Sequence, residues 1–288
     1  MITRVSLIGG IGDALNARSF LVAYCEQKRY GRDAITIYSP NHWWMFDGMG
    51  FKRSLDRRLF RHLVPYKNFG NYDLTKLHDI DKADECIAKN AGINYRFENI
   101  TSLPEYGNLD IPLPEKFITF NTGYGELSGD PTNPDYVCTK AWPIENWEKL
   151  IFMLEAAGIA CVQIGSGPSS KPVQAATKSY VNLLSLQGTS MVMRKAMFHI
   201  DIEGGLVIMA QHVGRKAVVL FGPCAVENQG RSFNMNIRCT DCPPCYEWDG
   251  NRLPTLCVPK KELKCKAHCM TDIKPEYVFD RLKEKAWI

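Results

Sequence analysis

Apolar residues fall in short blocks separated by glycine-rich or polar corners, and the blocks alternate between strand and helix periods. Val5 to Ile8 is an apolar run of strand length. The corner Gly9-Gly10-Ile11-Gly12-Asp13 follows, and helical spacing then holds from Ala14 to about Lys28. Ala34 to Tyr38 predicts a second strand. A polar, broken stretch from about Gly70 to Leu113 intervenes before the pattern restarts. Phe117 to Phe120 predicts a strand running out into Asn121-Thr122-Gly123, and a helix passes through Trp147 to about Ala157. Strands are predicted at Cys161 to Ile164 and Val181 to Leu184, with a helix from Thr189 to about Phe198. A short strand ending at Ile202 then meets the corner Glu203-Gly204-Gly205-Leu206, a helix, and the buried run Ala217 to Phe221 that closes on Gly222-Pro223. Val278, Phe279 and Leu282 form the apolar face of a last helix, which starts with Pro275 in its first turn and runs to about Lys285. Strands alternating with helices on both sides of Pro112-Leu113-Pro114 predict an α/β protein of two doubly wound, Rossmann-like domains. The expected boundaries are 1–113 and 114–274, with 275–288 as a C-terminal helix.

Composition narrows the class. A chain of 288 residues with 45% apolar and 23% charged residues buries a substantial core and is not a disordered one. The formal charge of +4 is too mild to argue for nucleic acid, and no apolar run is long enough to span a bilayer. The first residues read as a strand rather than a signal peptide, so a cytoplasmic location is expected. Lys52, Arg53, Arg57, Arg58, Arg61 and Lys67 crowd one stretch in which Leu55, Leu59 and Leu63 keep helical spacing. This predicts an amphipathic helix with a basic face. It is either a solvated surface or a place for an anionic acceptor or a peripheral contact with acidic lipid headgroups. His42-Trp43-Trp44-Met45-Phe46 reads as core or interface aromatics, with stacking on a sugar as the alternative.

The two glycine corners are the candidate chemistry. Free backbone N–H groups at a helix start make a ready seat for a phosphate, and glycine lets a ligand approach the backbone closely. G-x-G-x-x-G is absent, so the dinucleotide fingerprint does not apply. Asp13 is either a carboxylate favoured by the helix dipole or a base exposed at the carboxyl end of a strand. Lys140 beside its Trp-Pro turn and Glu203 at its helix start have the same two readings, plain surface or helix-start residues against ligand-binding ones.

Cys239, Cys242, Cys245, Cys257, Cys265 and Cys269 cluster in one loop-rich stretch. In a reducing compartment such density points to a metal before disulfides, the alternative being small buried apolar residues. A C-x-x-C turn aims two sulfurs at one point, and the preferred tetrahedral set is Cys242, Cys245, Cys257 and Cys269, holding zinc or iron. With no His or acid evidently completing an open site, a structural ion is expected within the 239–269 knuckle and no catalytic metal. The basic residues of this stretch are diluted by Asp241, Glu247, Asp249 and Glu262, so a nucleic-acid partner is not expected.

Three separated motifs together resemble glycosyltransferase family 9, the heptosyltransferase family with the GT-B fold. These are Gly10-Ile11-Gly12-Asp13, Lys140-Ala141-Trp142-Pro143, and Glu203-Gly204-Gly205-Leu206 with the later Leu220-Phe221-Gly222-Pro223. The Cys-rich tail is similar to that of bacterial autotransporter heptosyltransferases, in which four cysteines hold iron. The resemblance implies two domains facing a central cleft and inverting sugar transfer from a nucleotide-diphosphate donor, ADP-heptose being the family expectation. It implies Asp13 as the catalytic base and Lys140 as the contact to the donor diphosphate. Gly12, Asn121, Thr122, Glu203, Gly204, Gly205 and Leu206 complete the expected donor site, and the acceptor is a hydroxyl on a glycan or protein. The chain departs from the family in having Glu-Gly-Gly where many members have Asp-Thr-Gly, and Ile208 where a His is common. A non-catalytic nucleotide or sugar binder on the same fold is the competing reading.

Overall fold

The computed structural model describes residues 4–7, 10–56, 64–65, 88, 91–124, 135–242, 244, 257–259 and 268–288. The chain divides into two compact units, Met1–Leu103 and Pro104–Ile288. The Pro112-Leu113-Pro114 segment expected to be the hinge therefore lies inside the second unit.

In the first unit β1 (Arg4–Ser6), β2 (Thr36–Tyr38), β3 (Lys52–Ser54) and β4 (Val64–Pro65) form a parallel sheet in the order β3-β2-β1-β4. Helix α1 (Ile11–Lys28) starts with Gly10 at its N-cap and buries Leu15, Phe20 and Leu21 with Val5, Ile35 and Ile37 of the sheet region. Arg18, buried in that helix, donates from Nε to the Met45 carbonyl at 2.7 Å and from Nη1 to the Thr101 carbonyl. One guanidinium thus ties the 3₁₀ turn Trp43–Met45 to the end of the unit, satisfying carbonyls that burial would otherwise leave unpaired. Met45 and Phe46 are core residues, as the aromatic pattern suggests. The basic stretch departs from the expected helix: Lys52 to Ser54 is an edge strand and Leu55 is 71% exposed. Arg57, Arg58, Leu59, Arg61, Leu63 and Lys67 lie outside the residues whose side chains are described.

The second unit holds a six-stranded parallel sheet. Its strands are β5 (Phe117–Phe120), β7 (Ala160–Gln163), β8 (Lys178–Ser179), β9 (His199–Ile202), β10 (Ala217–Phe221) and β11 (Met235–Arg238), ordered β11-β10-β9-β5-β7-β8. Here β6 (Tyr136–Cys138) lies outside that sheet and pairs antiparallel with β12 (Cys257–Pro259), Cys138 opposite Cys257. The helices are α2 (Ile144–Ala156), α3 (Leu186–Lys195), α4 (Gly205–His212), the single turn α5 (Val226–Gln229) and α6 (Pro275–Glu284). Val181 to Leu184 is not the strand its apolar residues predict. It forms turns, with Asn182 at φ 60° and Leu183 exposed, and the edge strand is the polar pair Lys178–Ser179 instead.

Strands β5, β9 and β10 are buried on both faces, which suits the apolar runs of β5 and β10, while β9 carries His199 and Asp201 into the interior. Trp147 of α2 stacks on Phe120 and meets Trp142 edge-on, with centroids 4.8 Å apart. The Trp142 indole N–H donates to the Ile273 carbonyl at 2.9 Å, and α6 buries Val278 and Leu282 in the same core, alongside α2. The order β8-β7-β5-β9-β10-β11 reverses direction between β5 and β9. In open α/β sheets ligands bind at such a reversal, beyond the carboxyl ends of the strands.

Candidate functional site

The carboxyl ends of β5 and β9 carry two of the segments marked by the sequence, Asn121-Thr122-Gly123 and Glu203-Gly204-Gly205. Glu203 sits between β9 and α4, its N–H bonded to the Leu220 carbonyl at 3.1 Å. Its Oε2 meets Lys140 Nζ at 2.5 Å, and the two side chains are only 18% and 13% exposed. The Cys224 thiol donates to the same oxygen at 3.3 Å. Burial opposes the charged form of Glu203, but the Lys140 ammonium and the hydrogen bonds from Lys140 and Cys224 prevail, holding its carboxyl below the usual carboxylate range.

Gly204 is the N-cap of α4 in extended conformation, and a side chain there would touch only the Ile202 carbonyl. The N–H groups of Gly205, Leu206 and Val207 open that helix and have no intrahelical acceptor. Gly222 is demanded for another reason. A Cβ at this position would lie 2.7 Å from the Thr139 carbonyl and 2.9 Å from Met270 Sδ, so the turn after β10 closes directly onto the residue preceding Lys140. A cavity of about 10 Å³, room for about one water molecule, lies beneath the Glu203-Gly204 corner, with Gln211, Gln229, Arg231 and Asn236 among its walls.

Asn121 and Thr122, at the carboxyl end of β5, have their side chains engaged inside the unit. Asn121 Nδ2 donates to the Gly123 carbonyl at 2.8 Å and to both carboxylate oxygens of Asp201 at 3.2 Å, while its Oδ1 accepts from the Gly123 N–H at 2.9 Å. Thr122 Oγ1 donates to the Lys171 carbonyl at 2.8 Å. Asp201 is buried beneath this turn. It also accepts from the Ile202 N–H at 2.7 Å and faces His199 Nε2 at 3.3 Å, while His199 Nδ1 lies 3.0 Å from Thr119 Oγ1. Burial pushes the Asp201 carboxyl up, against the hydrogen bonds from His199, Asn121 and Ile202. The result is a polar ladder through the sheet that stiffens the Asn121-Thr122-Gly123 turn. Sequence reasoning missed it, although the alternation His199-x-Asp201 beside Thr119-x-Asn121 puts both pairs on one face of adjacent strands.

In the first unit Asp13 is half-buried in the first turn of α1, with Gly12 buried beside it. Cys239, Cys242 and Cys269 are buried in the main core cluster of the second unit. Cys245, Cys265 and the side chain of Cys257 lie outside the described residues. A donor group that the sequence did not suggest is present as well. One sulfur of Cys239, one ring nitrogen of His268 and one carboxylate oxygen of Asp272 all lie within 4.8 Å of one another.

No family model matches the chain, and no curated protein does. Solved structures do resemble it. The dodecameric iron-containing heptosyltransferase TibC, in complex with ADP-D-beta-D-heptose, is 14% identical with a TM-score of 0.75, over 98% of this chain and 76% of that one. A glycosyl transferase of family 9 from Veillonella parvula is 14% identical with a TM-score of 0.58, over 81% and 85%. The E. coli ADP-heptose LPS heptosyltransferase II is 14% identical with a TM-score of 0.57, over 99% and 98%. The fold is therefore GT-B, the α/β class of these heptosyltransferases, in agreement with the resemblance drawn from the motifs.

Proposed function

We propose that the protein is an inverting glycosyltransferase that moves a sugar from a nucleotide-diphosphate donor, ADP-heptose in the first place, to an acceptor hydroxyl on a glycan or protein. The observation that carries the proposal is the Lys140–Glu203 pair beside the start of α4, at the sheet's reversal point. A mostly buried ammonium, N–H groups without intrahelical acceptors and a glycine with room beside it are the components of a diphosphate seat. The solved structures named above support the same donor, since one holds ADP-heptose and another is an ADP-heptose transferase.

The chemistry follows from those parts. The arriving diphosphate takes over as partner of Lys140, which releases the Glu203 carboxylate to accept from a sugar hydroxyl. The N–H groups of Gly205 and Leu206 hold phosphate oxygens, with Gly204 leaving space for them. As the anomeric C–O bond breaks, charge grows on the leaving diphosphate, and Lys140 neutralises it in a site of low dielectric. Asp13, in the first turn of α1, takes the proton from the acceptor hydroxyl as its oxygen attacks the anomeric carbon on the face opposite the leaving group. The Asp201–Asn121 ladder acts indirectly, by fixing the turn after β5.

An iron or zinc ion is part of the reading, with Cys242, Cys245, Cys257 and Cys269 as its holders. Cys242 and Cys269 fit that role, being thiols buried in one cluster of the second unit. Bound there, the ion would supply a cross-link between those thiolates.

The test is Asp13→Asn, assayed by release of ADP from ADP-heptose in the presence of candidate glycan and protein acceptors. The variant is expected to bind donor as the unmodified chain does and to lose about 10²-fold or more in transfer. Transfer at the unmodified rate would remove Asp13 from the chemistry.

A further inference from the structure

The second unit brings together three metal-type donors that belong to neither the donor site nor the four-thiolate set. His268 and Asp272 stand four residues apart on one turn, closed by the Asp272 N–H to the His268 carbonyl at 2.9 Å and by Thr271 Oγ1 to the same carbonyl at 3.0 Å. That spacing puts both side chains on one side of the turn, where His268 Nδ1 is hydrogen-bonded to Asp272 Oδ2. Cys239 comes from another direction, directly after β11, whose four residues all pair with β10. Two separately anchored pieces of backbone thus hold three donors within 4.8 Å of one another. Tetrahedral coordination with bonds of about 2.0–2.3 Å spaces its donors by roughly 3.3–3.8 Å, which small side-chain rotations reach from here.

We propose that Cys239, His268 and Asp272 form a binding site for a borderline divalent cation of the zinc class, with solvent as the fourth ligand. The donor chemistry selects the ion. A thiolate excludes calcium and magnesium, which take oxygen, and an imidazole with a carboxylate beside one sulfur suits zinc better than a soft all-thiolate centre. Solvent supplies the fourth position because Asp272 is 42% exposed, and the site shares no residue with Cys242, Cys245, Cys257 and Cys269. Its role is structural. The turn it pins carries Cys269, whose Sγ lies 3.8 Å from the Thr139 carbonyl, and leads to Ile273, whose carbonyl accepts from Trp142. Thr139 and Trp142 flank Lys140, so a cation bridging β11 to this turn braces the segment that presents the lysine. The site itself stands whether or not the chain transfers a sugar.

The experiment uses the full chain, stripped with a chelator and reloaded with Zn²⁺ or Co²⁺, comparing Cys239→Ser, His268→Ala and Asp272→Asn with Cys242→Ser. Bound metal per chain is measured by elemental analysis, and tetrahedral Co²⁺ by its visible absorption. Cys239→Ser and His268→Ala are each expected to lose one equivalent relative to the unmodified chain, and Asp272→Asn to bind that equivalent at least tenfold more weakly. Cys242→Ser is expected to keep that equivalent. Thermal unfolding in excess chelator checks that the variants fold; His268, at the surface, serves where Cys239→Ser does not. Metal content unchanged in either Cys239→Ser or His268→Ala would overturn the site. So would no uptake by the unmodified chain, or loss of every equivalent in Cys239→Ser, which would place that sulfur in a single thiolate centre.

Discussion

Glu203 is the residue whose environment makes the sharpest demand. Its carboxylate shares one oxygen between the Lys140 ammonium and the Cys224 thiol in a mostly buried setting, so its charge is held by partners rather than by water. A carboxyl whose folded pKa lies below its unfolded value stabilises the fold above the unfolded pKa. That contribution disappears as pH falls through the folded one. Glu203→Gln is therefore expected to cost about 2 kcal/mol in urea unfolding at pH 7. The difference from the unmodified chain should shrink steadily as the pH is lowered below the ordinary carboxylate range. A cost independent of pH would mean that the carboxylate charge is not what matters. Lys140 and Glu203 were each legible in the sequence as members of separate motifs. Their pairing was not, because it depends on which strands become neighbours. Asn121 and Thr122 show the same: their side chains are bonded to the Asp201 carboxylate and the Lys171 carbonyl, partners that no motif in the sequence indicates. The Asp201 carboxylate lies inside the buried strand β9, away from the exposed glycine corners.

At the level of elements, legibility follows burial. Strands β5, β7 and β10 are largely covered on both faces, so their apolar runs stand out, and α2 and α6 show helical spacing because each buries one stripe. Edge elements escape for the same reason. Strand β8 is the exposed pair Lys178–Ser179, and the apolar Val181 to Leu184 beside it turns outward through Asn182 at positive φ. The pairing of β6 with β12 joins segments far apart in sequence, which local periodicity does not register. Helix α6 closes the second unit by burying Val278 and Leu282, while Lys149 of α2 pairs with Glu276 at its exposed edge. Leu282→Ala is expected to cost about 2–5 kcal/mol of unfolding free energy, whereas Lys149→Ala should cost only a small fraction of that. Urea titration of the two variants separates packing from surface charge. Equal losses would contradict the assignment of stability to the apolar face.

For the whole molecule, each unit has its own parallel sheet, and the solved structures it resembles share this architecture at about one residue in seven identical. Fold on that scale survives because it needs only apolar runs at the right spacing and glycine at a few close approaches, such as Gly222 against Thr139. Among the described residues no helix is long and apolar enough to cross a membrane. The two compact units divide between Leu103 and Pro104, before the proline pair of the 112–114 segment. A Pro-x-Pro segment stiffens backbone wherever it occurs, and here the Pro112 carbonyl accepts from the Tyr180 hydroxyl at 2.6 Å, within the second unit. The functional account turns on whether the Lys140 segment and the start of α4 receive a nucleotide diphosphate. Calorimetric titration of ADP-heptose into the unmodified chain and into Lys140→Ala asks this directly. The account predicts saturable binding to the former and at least about tenfold weaker binding to the latter, the loss of one charge-assisted contact. Equal affinity in the two proteins, or no binding to either, would contradict it.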